Sequence, residues 1–305
     1  MPDIMDSIQN KSIHCLDKGH VTLVDVMPRI VPEGKTADYA IVQAARVSYG
    51  EGTKTVNEDR GLIRYLLRHA HTTPLEMVTL KFHLKLPIFV CRQWARHRMS
   101  STNEISGRYS IMKDEFYFPF FSDLRAQSKT NRQGGDGQID EPTARYSANK
   151  IIDDADNSYN FYEYMIQAGV SREQARMVLP LNLYTEFYWK IDLHNLFHFL
   201  ALRADSHAQK EIRIYAEAII DLLRPIVPVA LEAWEDYHQM RGAMKLTRLE
   251  VEALSKFIKS NAWQATAPLI DSDNKREQAE WLEKASLLGI NLPQQKQQGD
   301  SGQPS

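Results

Sequence analysis

The sequence predicts an α+β fold in a single domain, because two segments alternate like strands and several others have the apolar spacing of helices. Its 305 residues, 43% of them hydrophobic, are enough to bury a substantial core. The formal net charge is only −2, so no general electrostatic attraction to nucleic acid or to an anionic membrane is expected. Any site for an anion must therefore come from a local cluster of basic residues.

Both strand predictions depend on a two-residue alternation. Residues 78–86 (VTLKFHLKL) place every apolar side chain on one face, and residues 183–191 (LYTEFYWKI) repeat the pattern. Pro87 then stands where a short helix can begin. Helical spacing after it predicts one polar face that carries Gln93, Arg96 and His97.

The longest predicted helix covers residues 193–223. Asp192 can cap its N-terminus, and Pro225 ends it. The spacing of Thr247 and Glu250 predicts a capping box, and so does that of Ser171 and Gln174. The other predicted helices are 36–47, 57–70, 143–168, 171–179 and 247–260.

The remaining segments are predicted to be irregular or extended. Residues 99–107 (MSSTNEISG) are rich in turn formers and predict a loop, after which 108–112 can resume extended structure. Residues 122–142 are almost free of apolar side chains and predict a mobile surface insertion within one domain, 1–293. Residues 294–305 have the composition of a disordered tail.

The N-terminal residues, the length of the apolar stretches and the number of cysteines limit the classes of protein to which this chain can belong. The N-terminal residues lack the apolar core of a signal peptide, and no apolar stretch approaches the length of a membrane helix, so a cytoplasmic protein without membrane contact is expected. Cys15 and Cys91 are the only cysteines, too few for a disulfide framework or a thiolate zinc site. Cys91 lies among bulky apolar neighbours, which favours a core residue over a nucleophile.

The densest polar cluster follows the short helix. Forked arginine donors at a helix end and loop are suited to phosphate or to the edge of a polar ring, although a solvated basic face would have a similar composition. The following loop adds many small polar residues, more than a solvated face requires. The cluster contains Arg92, Arg96, His97, Arg98 and Arg108, with Glu104 as its only acid.

Within this cluster, the order Arg96, His97, Arg98, seven residues and then Ser106 resembles the signature of flavin-dependent thymidylate synthases. The resemblance covers roughly residues 35–225. Further matching segments are RVSYG at 46–50, HTTPLE at 71–76, ARMVLPLNLYTEFYW at 175–189 and LRADSHAQKEI at 202–212.

The resemblance implies a fold and an activity. The expected fold is that of the family, a central, mostly antiparallel sheet flanked by long helices. The expected reaction is reductive methylation of dUMP to dTMP, with 5,10-methylenetetrahydrofolate as carbon donor, NADPH as reductant and FAD as hydride carrier, and with release of tetrahydrofolate. The family is homotetrameric with flavin sites shared between subunits, so cofactor residues need not converge within one chain.

It also implies the site residues. Arg203 would stabilise the deprotonated uracil ring, and Ser106 would position the nucleotide rather than attack it. The implied dUMP contacts are Gln93, Arg96, Glu104, Ser106, Gly107, Arg108, Arg176 and Arg203. The implied FAD contacts are Ser48, His71, Thr73, Glu76, Arg96, His97, Arg98, Met99, Asn103, Glu104, Asp192, His194 and His198. Many members carry Asn, Arg and Asn at the last three positions, and the chain has no glycine-rich dinucleotide fingerprint.

Three alternatives remain at this stage. His194, His198 and Asp205 would share a face of one continuous helix and could imitate a metal site, but there is no HExxH, and no metal is expected. A flavoprotein of the same fold with another substrate is disfavoured by Arg176 and Arg203. A nucleotide or RNA binder could stack bases on Tyr109, Phe116, Tyr117 and Phe118, although no nucleic-acid partner is expected.

Overall fold

The computed structural model describes residues 11–47, 59–128, 134–239, 244–259 and 275–288. The chain groups into two compact units, which divide between Gln239 and Met240. No helix among the described residues is long and apolar enough to cross a membrane.

The first unit is built on an antiparallel sheet. Its described strands are β1 (Ser12–Cys15), β2 (Gly19–Met27), β3 (Thr79–Pro87), β4 (Ser101–Glu104), β5 (Arg125–Gln127), β6 (Gly135–Gln138) and β7 (Tyr184–Asp192). Five of them form the central sheet in the order β1-β2-β3-β7-β4, with every neighbouring pair antiparallel. The α+β class with an antiparallel central sheet is confirmed.

The two alternating segments form the centre of this sheet. Strands β3 and β7 lie within one residue of the predicted ranges 78–86 and 183–191. Phe82 pairs with Trp189 across the two strands, and both side chains are fully buried. The alternation therefore identified the face of the sheet that packs into the core.

Helices complete the first unit. They are α1 (Asp38–Val47), α2 (Asp59–Arg68), α3 (Ile88–Trp94), α4 (Glu141–Gln167), α5 (Arg172–Ala175), α6 (Leu193–Arg203), α7 (Lys210–Leu223) and α8 (Pro228–Trp234). Helices α1, α2, α6, α7 and α8 contribute buried side chains to the same core as the sheet. A second apolar cluster joins residues of α4 and α5 to Met112, Phe116 and Leu183.

The prediction of one helix over residues 193–223 is wrong, because residues 204–209 separate α6 from α7. At this break the carboxylate of Asp205 accepts a hydrogen bond from the backbone N–H of His207 at 2.8 Å. A short acidic side chain that satisfies a nearby backbone donor competes with helical hydrogen bonding. The second helix ends at Leu223, just before Pro225, as predicted.

The loop prediction for residues 99–107 is also wrong in part. Ser101–Glu104 forms β4, whose residues pair with Lys190 to Phe187 of β7 at the edge of the sheet. The four residues are polar and all exposed, so they show no apolar alternation. Residues 108–112 do not resume a strand, because the N–H groups of Tyr109 and Ser110 both donate to the carbonyl oxygen of Ser106 in a turn.

The predicted insertion at 122–142 contains structure that its composition did not predict. Strands β5 and β6 form a separate two-stranded antiparallel sheet, and α4 already begins at Glu141. Residues 129–133 lie outside the described residues. The mobility of this insertion and the domain limits 1–293 remain predictions.

The second unit contains α9 (Arg248–Lys259) and α10 (Lys275–Leu287). Its small core includes the buried indole of Trp281. The predicted capping box at the start of α9 is confirmed, because the N–H of Glu250 donates to the hydroxyl of Thr247 and the N–H of Thr247 donates to the Glu250 carboxylate. The one predicted at the start of α5 is wrong, because the hydroxyl of Ser171 donates to the side chain of Gln174 and no described side chain caps that helix. The tail 294–305 lies outside the described residues.

Candidate functional site

A cavity of about 500 Å³ lies beside the turn that follows α3. We call it the arginine cavity. The turn forms one wall and one face of α6 forms the other, because residues three, four and seven apart on a helix point the same way. The lining residues are Arg96, His97, Arg98, Met99, Ile191, Asn195, His198, Leu202 and Arg203.

The charges of this cavity favour an anion. Three of the nine described lining residues are arginines, two are histidines and none is acidic. Met99, Ile191 and Leu202 add apolar surface between these cations. A phosphate-bearing ligand with a planar ring matches both properties, since guanidinium groups pair with phosphate and apolar walls accept a ring.

Arg203 is the most firmly held of the three arginines. Its Nε donates to Nε2 of His97 at 3.1 Å, and its Nη2 donates to the carbonyl oxygen of Gln93 at 3.3 Å. The amide of Gln93 in turn donates to Oε1 of Gln209 at 2.5 Å. Partial burial lowers the pKa of Arg203, but an arginine remains cationic at any physiological pH.

His97 is turned inwards between two exposed arginines. Helix α3 ends at Trp94, so Arg96 and His97 lie in the turn after it and not on the predicted helix face. Burial, followed by the charges of Arg203 and His198, lowers the pKa of His97 to about 4. The imidazole is therefore neutral near pH 7, and Nε2 can accept the hydrogen bond from Arg203.

Asp192 caps α6, as predicted. Its carboxylate accepts hydrogen bonds from the backbone N–H of Asn195 at 2.9 Å and from the side-chain amide of Asn195 at 2.8 Å. These bonds fix Asn195, which lines the arginine cavity. The sequence reasoning missed Asn195, although its position three residues after a predicted cap was a usable signal.

A smaller cavity of about 170 Å³ lies next to the arginine cavity, and His198 lines both. We call it the apolar cavity. His194 lines it, together with Thr72 and Leu75 from the turn that carries the HTTPLE segment. Its other lining residues are Leu66, Leu67, Ala70, Phe197, Ala201, Trp234 and His238.

Three implied flavin contacts lie near that turn but line neither cavity. His71 is exposed, and its ring packs edge-on against Tyr65 with 5.8 Å between centroids. Thr73 and Glu76 are exposed on a 3₁₀ turn, Thr73–Met77. Ser48 lies outside the described residues.

A second group contains four implied substrate residues that follow β4 or α5 in the chain, together with Glu173 of α5, which pairs with one of them. We call Ser106, Gly107, Arg108, Glu173 and Arg176 the β4–α5 cluster. A Cβ added to Gly107 would lie 3.1 Å from Cδ of Arg176, so the glycine allows that side chain to approach. Arg108 pairs with Glu173 at 3.2 Å, and its backbone N–H donates to Oγ of Ser106 at 3.3 Å.

The two remaining implied contacts lie on β4 itself. Glu104 accepts a hydrogen bond from the buried hydroxyl of Thr185 at 2.5 Å, and Asn103 pairs with Tyr188. Neither lines the arginine cavity or the apolar cavity. The structure therefore brings Arg96 to Met99, His198 and Arg203 together, and it leaves the β4–α5 cluster as a separate group.

The structure removes the basis of one sequence alternative, the metal site, and weakens a second, the RNA binder. The break after α6 removes Asp205 from the helix face of His194 and His198, and no three His, Cys, Asp or Glu side chains of the described part of the chain are close enough to hold a metal. Phe116 and Tyr117 are 1% and 6% exposed and cannot stack on the bases of an RNA, whereas Tyr109 is 73% exposed and stays available for stacking.

Cysteine chemistry is also disfavoured. Burial raises the pKa of Cys15 and of Cys91 to about 12. Neither thiol is ionised near neutral pH, and the thiolate is the nucleophilic form.

Comparisons with known proteins assign the family. The family model described as thymidylate synthase complementing protein matches residues 23–229. The flavin-dependent thymidylate synthase of Dictyostelium discoideum is 51% identical over 286 residues, which cover 94% of this chain and 90% of that protein. The chain belongs to the flavin-dependent thymidylate synthase family.

Other members and a solved structure agree with this assignment. The flavin-dependent thymidylate synthase of Thermus thermophilus is 56% identical over 243 residues, or 80% of this chain and 84% of that one. Among solved structures, a UMP/dUMP methylase, PolB from Streptomyces cacaoi bound with 5-Br dUMP, is 31% identical with a TM-score of 0.63. The match covers 74% of this chain and 99% of that one. The family match includes both the arginine cavity and the β4–α5 cluster.

Proposed function

We propose that this chain converts dUMP to dTMP by reductive methylation, with 5,10-methylenetetrahydrofolate as carbon donor, and releases tetrahydrofolate. The hydride that completes the methyl group would come from bound FAD that NADPH has reduced. The observation that carries the proposal is the arginine cavity. In it Arg203 is half-buried, donates a hydrogen bond to His97 and lies among cationic and apolar side chains. The chain that forms this cavity belongs to the family. Its cytoplasmic location remains a prediction of the sequence.

Arg203 would act on the uracil ring. A fixed cation favours the deprotonated form of a ring nitrogen, which raises electron density at the carbon to be methylated. Its orientation is set before the substrate arrives, because His97 and Gln93 already occupy two of its donors. A preorganised donor stabilises developing charge without any reorganisation of the site.

The residues fit a flavin nucleotide in chemical type. Arg96 and Arg98 are exposed cations for its phosphates, while Met99 and Leu202 are apolar surface for a ring. The cavity is too small for FAD and dUMP together with folate, so further surface must complete the site. We propose that a second copy of the chain provides it, in a homotetramer with shared sites.

In this arrangement the β4–α5 cluster of one copy would complete the arginine cavity of another. Arg108 and Arg176 are exposed on one chain and available to a nucleotide phosphate. The full proposed dUMP set is Gln93, Arg96, Glu104, Ser106, Gly107, Arg108, Arg176 and Arg203. The proposed FAD set is Ser48, His71, Thr73, Glu76, Arg96, His97, Arg98, Met99, Asn103, Glu104, Asp192, His194 and His198.

The direct test combines a binding and a product experiment. The purified protein is titrated with FAD and then with dUMP while the flavin absorbance is followed, and turnover mixtures are analysed for dTMP and for the folate product. We expect flavin bands that shift with dUMP, followed by dTMP with tetrahydrofolate. Failure to bind FAD, or release of dihydrofolate, would contradict the proposal.

A further inference from the structure

The guanidinium of Arg203 is held from one side only. Of its five N–H donors, Nε is directed to His97 and one N–H of Nη2 is directed to the backbone of Gln93. The other three N–H donors remain for a ligand. Because the guanidinium is planar and rigid, fixing Nε also fixes the direction of the whole fork.

The imidazole that accepts from Nε is itself fixed by the core. Its ring packs edge-on against Phe199, which is fully buried, with 4.9 Å between centroids. It also lies edge-on to His198 at 5.9 Å. His97 therefore connects a rigid part of α6 to the guanidinium at the end of the same helix.

Only a neutral imidazole at His97 can accept the hydrogen bond from Arg203. Nε2 must be unprotonated to accept from Arg203, and a charged imidazolium would repel the guanidinium. The lowered pKa of His97 agrees with this requirement. The flanking Arg96 and Arg98 are both exposed, so the histidine alone of this triplet faces inwards.

We propose that His97 is a positioning residue for Arg203: its neutral imidazole accepts the Nε–H bond and holds the guanidinium in the one orientation that meets the pyrimidine ring. This inference rests on the proposed function. It assigns to His97 a role that acts through Arg203, in addition to its proposed place in the flavin set.

Two substitutions separate the acceptor from the ring. H97F keeps an aromatic ring against Phe199 but removes the acceptor, whereas H97Q supplies a side-chain oxygen that can accept in its place. We expect H97F to lower dTMP formation about 10- to 100-fold, the range for a hydrogen bond to a charged group. H97Q should recover most of the loss, with both rates measured at saturating FAD so that weaker flavin binding by either variant does not enter the comparison. H14F makes the same exchange at an exposed histidine of β1 and should behave as wild type.

A double-mutant cycle shows whether His97 acts through Arg203. dUMP affinity, read from the flavin band shift, is measured for wild type, H97F, R203A and H97F/R203A. If His97 only orients Arg203, H97F weakens dUMP binding in the wild type and adds nothing in the R203A background. Equal losses in both backgrounds would overturn the proposal.

The wild-type protein provides a test that needs no variant to fold. Nitrogen-15 spectra of its histidines should show His97 neutral with Nε2 unprotonated at pH 7, and protonated Nε2 would overturn the proposal. Absence of dTMP formation by the wild type would overturn the proposed function itself. Normal wild-type turnover with unchanged H97F turnover would overturn only the role of His97.

Discussion

The arginine cavity and the β4–α5 cluster both carry arginines, but they hold them differently. Arg203 is half-buried and donates to two neutral acceptors, one aromatic and one backbone. Arg108 is exposed and pairs with Glu173, with 56% and 53% of the two side chains accessible. Exposed ion pairs contribute little to stability, so Arg108 can exchange Glu173 for a phosphate at small cost.

This difference indicates two tasks. The arginine cavity is preorganised, which suits a group that must stabilise charge as it develops. The β4–α5 cluster is adaptable, which suits capture of a phosphate that arrives with the substrate. Among the described residues, no hydrogen bond joins a residue that lines the arginine cavity to one of the β4–α5 cluster, which agrees with two parts that a second copy of the chain would bring together.

The largest expected effect is at Arg203. R203A removes the fixed cation from the cavity, and we expect turnover of dUMP to fall about 100- to 1,000-fold, as when one preorganised donor is lost from an active site. The rate of dTMP formation under saturating dUMP measures it. FAD affinity is the control, and a parallel collapse of FAD binding would show that Arg203 holds the flavin instead.

The adaptable group should respond in affinity more than in rate. R176A removes an exposed arginine beside Gly107, and we expect the Kd of dUMP to rise about tenfold while turnover at saturating dUMP changes little. Titration of the flavin bands measures the Kd. A loss of saturated turnover as large as that of R203A would mean that the two groups do not differ in task.

A smaller effect is expected at Gly107. In G107A the new methyl group meets flexible side chains of Arg176 and Met112 at 3.1 Å, so we expect the Kd of dUMP to rise about threefold as Arg176 is displaced. Stability should be unchanged or slightly higher, because alanine restricts the unfolded chain more than glycine does. Thermal unfolding is the matched measurement, and lost stability with unaltered affinity would contradict this reading.

The smallest expected effect is on stability as a function of pH. The pKa of His97 falls from 6.5 to about 4 on folding, so between those values the unfolded chain binds more protons than the folded chain. The contribution of the neutral His97 imidazole to the free energy of unfolding is complete above pH 6.5. It is lost as the pH falls towards 4. Arg203 and His198 are the charged or titratable groups that face it. The stability of H97F, measured by denaturant unfolding, should depend less steeply on pH in this window than that of the wild type, and equal slopes would contradict the assignment.

Particular residues show why the sequence predicted part of the fold. Strands β3 and β7 have one buried and one polar face, so their alternation was visible within one residue of their ends. Strand β4 is polar on both faces at the sheet edge and gave no such pattern. Helices α6 and α7 were joined in the prediction because apolar residues recur at helical spacing on both sides of the break, which Asp205 makes locally.

Several helices and strands were not predicted from the sequence. The β1–β2 hairpin depends on Gly19, where an added Cβ would lie 1.9 Å from the hydroxyl oxygen of Tyr215, a contact between distant parts of the chain. Helices α8 and α10 and the β5–β6 sheet were also missed.

The candidate site shows the same limit. The signature motif pointed to Arg96, His97 and Arg98, which do line one cavity with Arg203. The hydrogen bond from Arg203 to His97 joins residues 106 positions apart, and no spacing rule predicts it. The motif also joined Ser106 to the same site by sequence alone, whereas Ser106 does not line the arginine cavity.

The central claim is that the two groups are halves of one site supplied by different copies of the chain. Co-expression of R203A with R176A, each carrying its own affinity tag, yields mixed oligomers that are purified through both tags and assayed for dTMP formation at limiting dUMP. If the site is shared, some sites combine an intact Arg203 with an intact Arg176, and about a quarter of wild-type activity should return in a random mixture. If activity in the mixed oligomers stays at the level of the two variants alone, both groups belong to one chain's site and the account is contradicted.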